Sequence, residues 1–154
     1  MYRMRAWSVR HSRGLKWLYH GVESVLVFLS PVWRWIGQER VDKSMMAVEK
    51  VAKGFLLDSQ SCGQCIVGST GLSCPMNCPK TMRNGPCGGV RANGKCEVKP
   101  DMDCVWVNAW KGNKNLNVDE YPIQVVQPAI DNRRFNKSAW FREVQIRTEH
   151  RHEV

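Results

Sequence analysis

No cysteine occurs in the first sixty residues or the last fifty of this 154-residue chain, and no histidine lies between His20 and His150. The first absence argues against a disulfide framework, which spreads its bridges along a small chain that lacks a core. The second leaves a mixed Cys/His zinc site without a nearby nitrogen. Long apolar runs are missing too. The best is Val25 to Leu29, and Glu23, Ser24, Pro31 and Arg34 interrupt the wider stretch from Trp17 to Ile36. A membrane span needs about 20 mostly apolar residues, so none is expected, and no small-residue cleavage site follows to make a secretory signal. Acids are absent from the start of the chain. Arg3, Arg5, Arg10, Arg13 and Lys16 all precede Glu23 and contribute to a net charge of +9. Such a run attracts phosphates, anionic lipid or an acidic protein face. The plainer alternative is a solvated, frayed end, and an Arg-rich, acid-free start also has a superficial likeness to a transit peptide.

What the chain does have is seven cysteines within 43 residues: Cys62, Cys65, Cys74, Cys78, Cys87, Cys96 and Cys104. The number is odd, so disulfides alone cannot use them all. Crowded thiols read as metal ligation in a reducing, cytoplasmic compartment. The two-residue gap between Cys62 and Cys65 lets both sulfurs reach one centre from a single turn. Glycines beside ligands let amide N–H groups point at sulfur. Pro75 and Pro79 follow Cys74 and Cys78, a pairing also found in ferredoxin-type runs. Thiolate is soft and suits iron–sulfur or zinc. A [4Fe-4S] cluster is the preferred reading, an all-Cys Zn2+ site the alternative, and a thiol redox motif ranks last, because it needs a βαβ context. Either metal serves simply to hold loops together in the plainest version. Cys62, Cys65, Cys74 and Cys78 lie closest and are the first-choice ligand set. Cys87, Cys96 and Cys104 form a second site or replace one of them.

The expected fold is small, α plus irregular: a Cys-rich, metal-stabilised loop domain preceded by one or two helices, with little β. Residues 1–40 form a basic N-terminal extension with an amphipathic helix, 41–112 the Cys-rich domain, and 113–154 a polar tail. Residues 1–15 look disordered or adaptable. A helix runs from Lys16 to Leu29 with apolar residues recurring at three and four, and Pro31 ends or kinks it. Its apolar face packs in the core, or on a partner or membrane surface. A second helix spans about Asp42 to Phe55, with a core stripe of Met45, Val48, Val51, Ala52 and Phe55. Residues 61–104 hold seven of the twelve Gly and four of the seven Pro, which leaves little room for regular structure. Residues 105–112 make a short helix or strand, 123–126 look strand-like, and a short helix carries Trp140 and Phe141. Lys80, Arg83 and Arg91 are solvated loop cations or offset the charge of a thiolate centre. Trp106 and Trp110 pack in the core or cover the site.

The runs Cys62-Gly-Gln-Cys65, Ser69-Thr-Gly71, Cys74-Pro-Met-Asn-Cys78-Pro-Lys80, Arg83-Asn-Gly-Pro-Cys87-Gly-Gly89, Gly94-Lys-Cys96-Glu-Val and Cys104-Val-Trp106 resemble the methylenetetrahydrofolate reductase C-terminal domain family over roughly residues 40 to 112. That family occurs as an extension after the reductase barrel or as a separate small subunit. The resemblance implies an accessory chain beside a flavin-containing catalytic chain in one-carbon metabolism, serving electron transfer or assembly. No flavin or folate pocket and no catalytic constellation is visible here, so this chain is not expected to act alone. The second class of reading is a zinc-stabilised binding module for a protein, nucleic acid or anionic surface. Nucleic acid is disfavoured, because the cysteine block holds five Lys/Arg against three acids. Peripheral membrane contact by the N-terminal helix stays open.

Overall fold

The computed structural model describes residues 2–116 and 122–150. The parts of the polar tail at 117–121 and 151–154 lie outside them, as do the side chains of Arg34, Gln38, Glu39, Glu149 and His150. Six helices follow in order: α1 (Tyr2–Arg10), α2 (Ser12–Phe28), α3 (Ser30–Ile36), α4 (Gln38–Leu57), α5 (Val105–Asn115) and α6 (Ala139–His150). The Cys-rich loop fills the interval between α4 and α5. It carries one 3₁₀ turn, Pro75–Asn77, and a second follows α5 at Asn132–Arg134. Among the described residues there is no sheet, only two isolated antiparallel bridges, Val90 to Cys96 and Lys95 to Asp103. The fold is thus mostly helical with little β; the paucity of β is as expected, but four helices rather than one or two precede the Cys-rich loop.

The local chemistry explains the breaks. Pro31 sits in the first turn of α3, where its missing N–H has no intrahelical partner to lose. It therefore ends α2 and restarts the chain as a helix. Gly37, at φ 102°, separates α3 from α4. Asp58 closes α4 in a left-handed conformation, and Arg5 holds that carboxylate through Nε at 2.7 Å.

Two helical expectations are corrected. Residues 2–15 are helical rather than adaptable, because α1 packs on α4 and α5. Ser8 and Ser12 are fully buried there. Ser8 donates to the Leu56 carbonyl and Ser12 to the Gly112 carbonyl, the latter at 3.3 Å. Small side chains allow that approach. The second helix is longer than expected and turned about its axis. Met45 is buried, but Val48, Val51 and Phe55 face solvent, and Val41, Met46, Glu49, Lys53 and Leu57 lie inward instead. The inward side carries an ion pair: Lys53 Nζ donates to Glu49 Oε1 at 2.8 Å.

Two apolar clusters share Tyr19. In one, Val41, Met45, Trp140 and Phe141 meet Val22, Leu26 and Trp33 where α2, α3, α4 and α6 converge. In the other, Leu57, Val67, Leu72 and Cys74 pack beneath the Cys-rich loop with Leu15 and Met76. The strand-like segment 123–126 forms no strand: it is irregular, and Val125 and Val126 are exposed. The helical reading of 105–112 and the helix carrying Trp140 and Phe141 both match the structure.

Candidate functional site

The loop after α4 is short of hydrophobic anchors and is held by polar contacts from distant segments. Gly63 stands between Cys62 and Gln64 at φ 68°, and a side chain there would overlap the Arg134 carbonyl. That glycine lets the 132–134 turn close on the first two thiols. Around it, Asn136 N donates to the Ser61 carbonyl at 3.1 Å. Gln64 Nε2 donates to the Asp131 carbonyl at 3.2 Å. Arg83 Nη2 donates to the Gln64 carbonyl at 2.9 Å and its Nε to the Pro128 carbonyl at 3.1 Å. Arg83 is therefore a loop clamp, not a free cation.

Within this clamp Cys62, Cys65 and Cys74 line one small cavity of about 20 Å³, with Glu49 and Arg83 also on its wall. Cys65 additionally borders an open cavity of about 310 Å³ with Tyr19, His20 and Glu23, which gives it a route to solvent. Burial pushes the Cys74 thiol up to about 11, any charge on Cys65 or Cys62 pushes the same way, and backbone N–H groups of Gln60 and Met76 act against it. Buried Lys53 faces Cys65 as well as Glu49. Burial disfavours its charge, yet those two neighbours together hold its pKa above the ordinary lysine value.

The remaining thiols lie elsewhere. Cys78 follows the Pro75–Asn77 turn and does not line the cavity. Cys87 is exposed, 3.9 Å from Glu97 Oε1, and Lys80 pairs with the same carboxylate. Cys96 and Cys104 anchor a compact turn, with Cys96 N donating to the Met102 carbonyl and Cys104 N to the Gly94 carbonyl, each at 2.9 Å. Arg91 reaches the Glu97 carbonyl at 3.5 Å. Trp106 is buried and donates to the Met82 carbonyl at 3.0 Å, whereas Trp110 is half exposed.

All seven thiols are free. Three of the four first-choice ligands thus share a cavity. Among the described residues, no three of His, Cys, Asp and Glu are grouped as a metal would need them. The donor chemistry fits a soft metal. The cavity between the three thiols, about 20 Å³, has room for one water-sized guest.

The environments rank the thiols by reactivity. In the metal-free chain near neutral pH, iodoacetamide is expected to modify Cys87 first and Cys74 among the last, as read by peptide mass spectrometry over time. Equal rates at the two positions would contradict the buried placement of Cys74.

A family profile described as Methylene-tetrahydrofolate reductase C terminal matches residues 38–133. The chain belongs to the methylene-tetrahydrofolate reductase C-terminal family. The match runs past the cysteine block to residue 133, so it takes in Pro128 and Asp131 of the clamp but not Arg134 or Asn136, and α1 to α3 also lie outside it. No curated protein and no solved structure matches the chain. No described helix is long and apolar enough to cross a membrane.

Sequence reasoning missed Glu49, Lys53 and the 131–136 clamp. Glu49 and Lys53 did carry a signal, their spacing of four on a helix. That spacing ordinarily marks an exposed pair.

Proposed function

We propose that this member of the methylene-tetrahydrofolate reductase C-terminal family is a metal-carrying accessory subunit of a flavin-containing reductase chain, serving electron transfer or assembly. The family match with three thiols around one cavity carries the reading. A [4Fe-4S] cluster bound by cysteines would supply one-electron chemistry. Cys62, Cys65 and Cys74 are the proposed core ligands, with Cys78 nearest along the chain to complete the set. The cation of Lys53 beside Cys65 offsets thiolate charge. Arg83 and the 131–136 turn hold the loop against solvent.

The small cavity favours a second reading, one structural Zn2+ on the same thiols, since a single ion needs far less room. Anaerobic purification followed by iron and zinc analysis separates the two. The cluster reading expects a brown protein, bleached by dithionite, that co-purifies with a flavoprotein. The zinc reading expects a colourless protein with one tightly held zinc. Absence of both metals at stoichiometric level would sink the metal-carrying role.

A further inference from the structure

We propose that the outer face of α2 and α3 is the docking surface for an acid-flanked helix of the reductase catalytic chain. This deepens, and rests on, the accessory-subunit reading. α2 is apolar on two opposite sides. Its inner side sends Tyr19, Val22 and Leu26 into the core. Its outer side presents Trp17, Leu18, Val25 and Phe28 to solvent, and α3 continues with Val32 and Trp35. Exposure reaches 80 % at Trp17, 82 % at Phe28 and 88 % at Trp35. A helix that is apolar all round is normally buried, and contiguous exposed apolar surface rimmed by charge marks an interaction site.

Shape narrows the occupant. Gly14 and Gly21 lie seven residues apart on this same outer face, and a side chain built on either meets nothing within 4 Å. Glycine inside a helix costs stability, and neither position needs it for the fold of this chain. Between the ridges made by Trp17 and Leu18 and by Val25 and Phe28, such notches admit the backbone and side chains of a second helix. A lipid surface has no element that uses a notch.

Charge narrows it further. Residues 1–36 contain six Lys/Arg and one acid, Glu23; Glu23 is buried and Arg5 is paired with Asp58, and the remaining cations leave this end of the chain basic. A second copy would bring like charge against like charge. An apolar ridge flanked by acids is the complement. The large exposed aromatics are the residue types that dominate such interfaces.

The test uses the full chain and the flavin-containing methylenetetrahydrofolate reductase chain of the same organism. Binding is measured by biolayer interferometry, with parallel sedimentation of phosphatidylcholine and phosphatidylglycerol vesicles and analytical ultracentrifugation of the chain alone. Gly21→Leu fills a notch that the free chain leaves open, so its melting temperature should hold or rise. Its affinity for the reductase should fall at least ~10-fold, with a similar loss in Phe28→Ser. Gly54→Ala, at an open position away from this face, should bind as the parent does. Unchanged affinity in both face variants would overturn the proposed surface and leave the accessory reading standing. No binding by the parent chain would overturn that reading and this one with it. Binding to phosphatidylglycerol vesicles that Phe28→Ser abolishes, with reductase affinity untouched, would assign the face to lipid. Self-association that Gly21→Leu abolishes would assign it to a second copy.

Discussion

Replacing Gly112 with alanine is expected to destabilise the chain by about 3 kcal/mol or more, at the upper end of what overpacking costs. Gly112 is buried in α5, and an added Cβ would overlap the Gly71 carbonyl. Gly71 itself sits at φ 54°, and a side chain there would overlap the backbone of Gly112 and Asn113. Two glycines thus let a helix and the Cys-rich loop touch backbone to backbone. Neither side can yield cheaply. Asn113 Nδ2 donates to the Ser69 carbonyl at 2.9 Å, Ser73 Oγ donates to the Val105 carbonyl at 3.0 Å, and Ser12 Oγ binds the Gly112 carbonyl itself. Pushing α5 outward would break this set and open the wall behind Leu72. Urea unfolding followed by circular dichroism reads the loss. Gly54→Ala is the internal control: it lies in open space on α4, and removing a helical glycine there should stabilise by roughly 0.5–1 kcal/mol. Equal stability for Gly112→Ala and the parent would mean that the contact is looser than the structure has it.

The contrast between those glycines bears on what could be read from the residues alone. α2 was legible because its apolar residues recur at helical spacing, α6 as a short helix carrying Trp140 and Phe141, and α5 only as a short helix or strand. α1 and the first turn of α2 were not, since the residues buried deepest there are Ser8 and Ser12. Their role is to be small and to donate to Leu56 and Gly112 carbonyls, which leaves no mark in a hydrophobic pattern. The face of α4 was misread for the opposite reason. Val48, Val51 and Phe55 repeat as a core stripe should, and Glu49 and Lys53 look like an exposed pair, yet the pair lies inside and the stripe outside. The buried Glu49 is held both by Lys53 one turn along α4 and by hydrogen bonds from Ser138 and the Trp140 amide, contacts about ninety residues away in sequence.

The same distinction runs through the candidate site. Soft donors at short spacing were plain from Cys62 to Cys104. Which of them share a cavity was not, because that depends on segments outside the block. Gly63 leaves room for the Arg134 carbonyl, Gln64 reaches Asp131 and Arg83 reaches Pro128. Those contacts seat Cys62 and Cys65 beside Cys74 and leave Cys87 in solvent. A run of thiols lists the soft donors; the contacts from residues 128–136 decide which of them meet.

Lys53→Met is expected to cost about 3–5 kcal/mol, the ordinary penalty for stranding one member of a buried ion pair. Lys53 is 3 % exposed. Its ammonium donates to Glu49 and stands 4.7 Å over the Trp140 ring and 5.1 Å over the Tyr19 ring. Glu49 has a second duty. Its other oxygen accepts from Ser138 Oγ at 2.7 Å and from the Trp140 amide at 3.2 Å, while Ser138 Oγ accepts from the Phe141 amide at 3.1 Å. The carboxylate and the serine together cap the first turn of α6, where negative charge is favoured. Losing the lysine therefore leaves a buried carboxylate with only that cap to support it, and α6 with Trp140 and Phe141 loosens. The sign with pH follows from the direction of the Lys53 shift. Its folded pKa is raised, so its contribution is full below about pH 10.4, the unfolded value, and is lost only as pH rises through the folded one. The penalty for Lys53→Met should accordingly be flat from about pH 6 to 9. Urea midpoints across that range, with Glu49→Gln and the double variant completing a cycle, measure the coupling. A double variant more stable than Lys53→Met alone is the expected outcome, because neutralising Glu49 removes the stranded charge. Additive losses would show that the two side chains do not share one buried site.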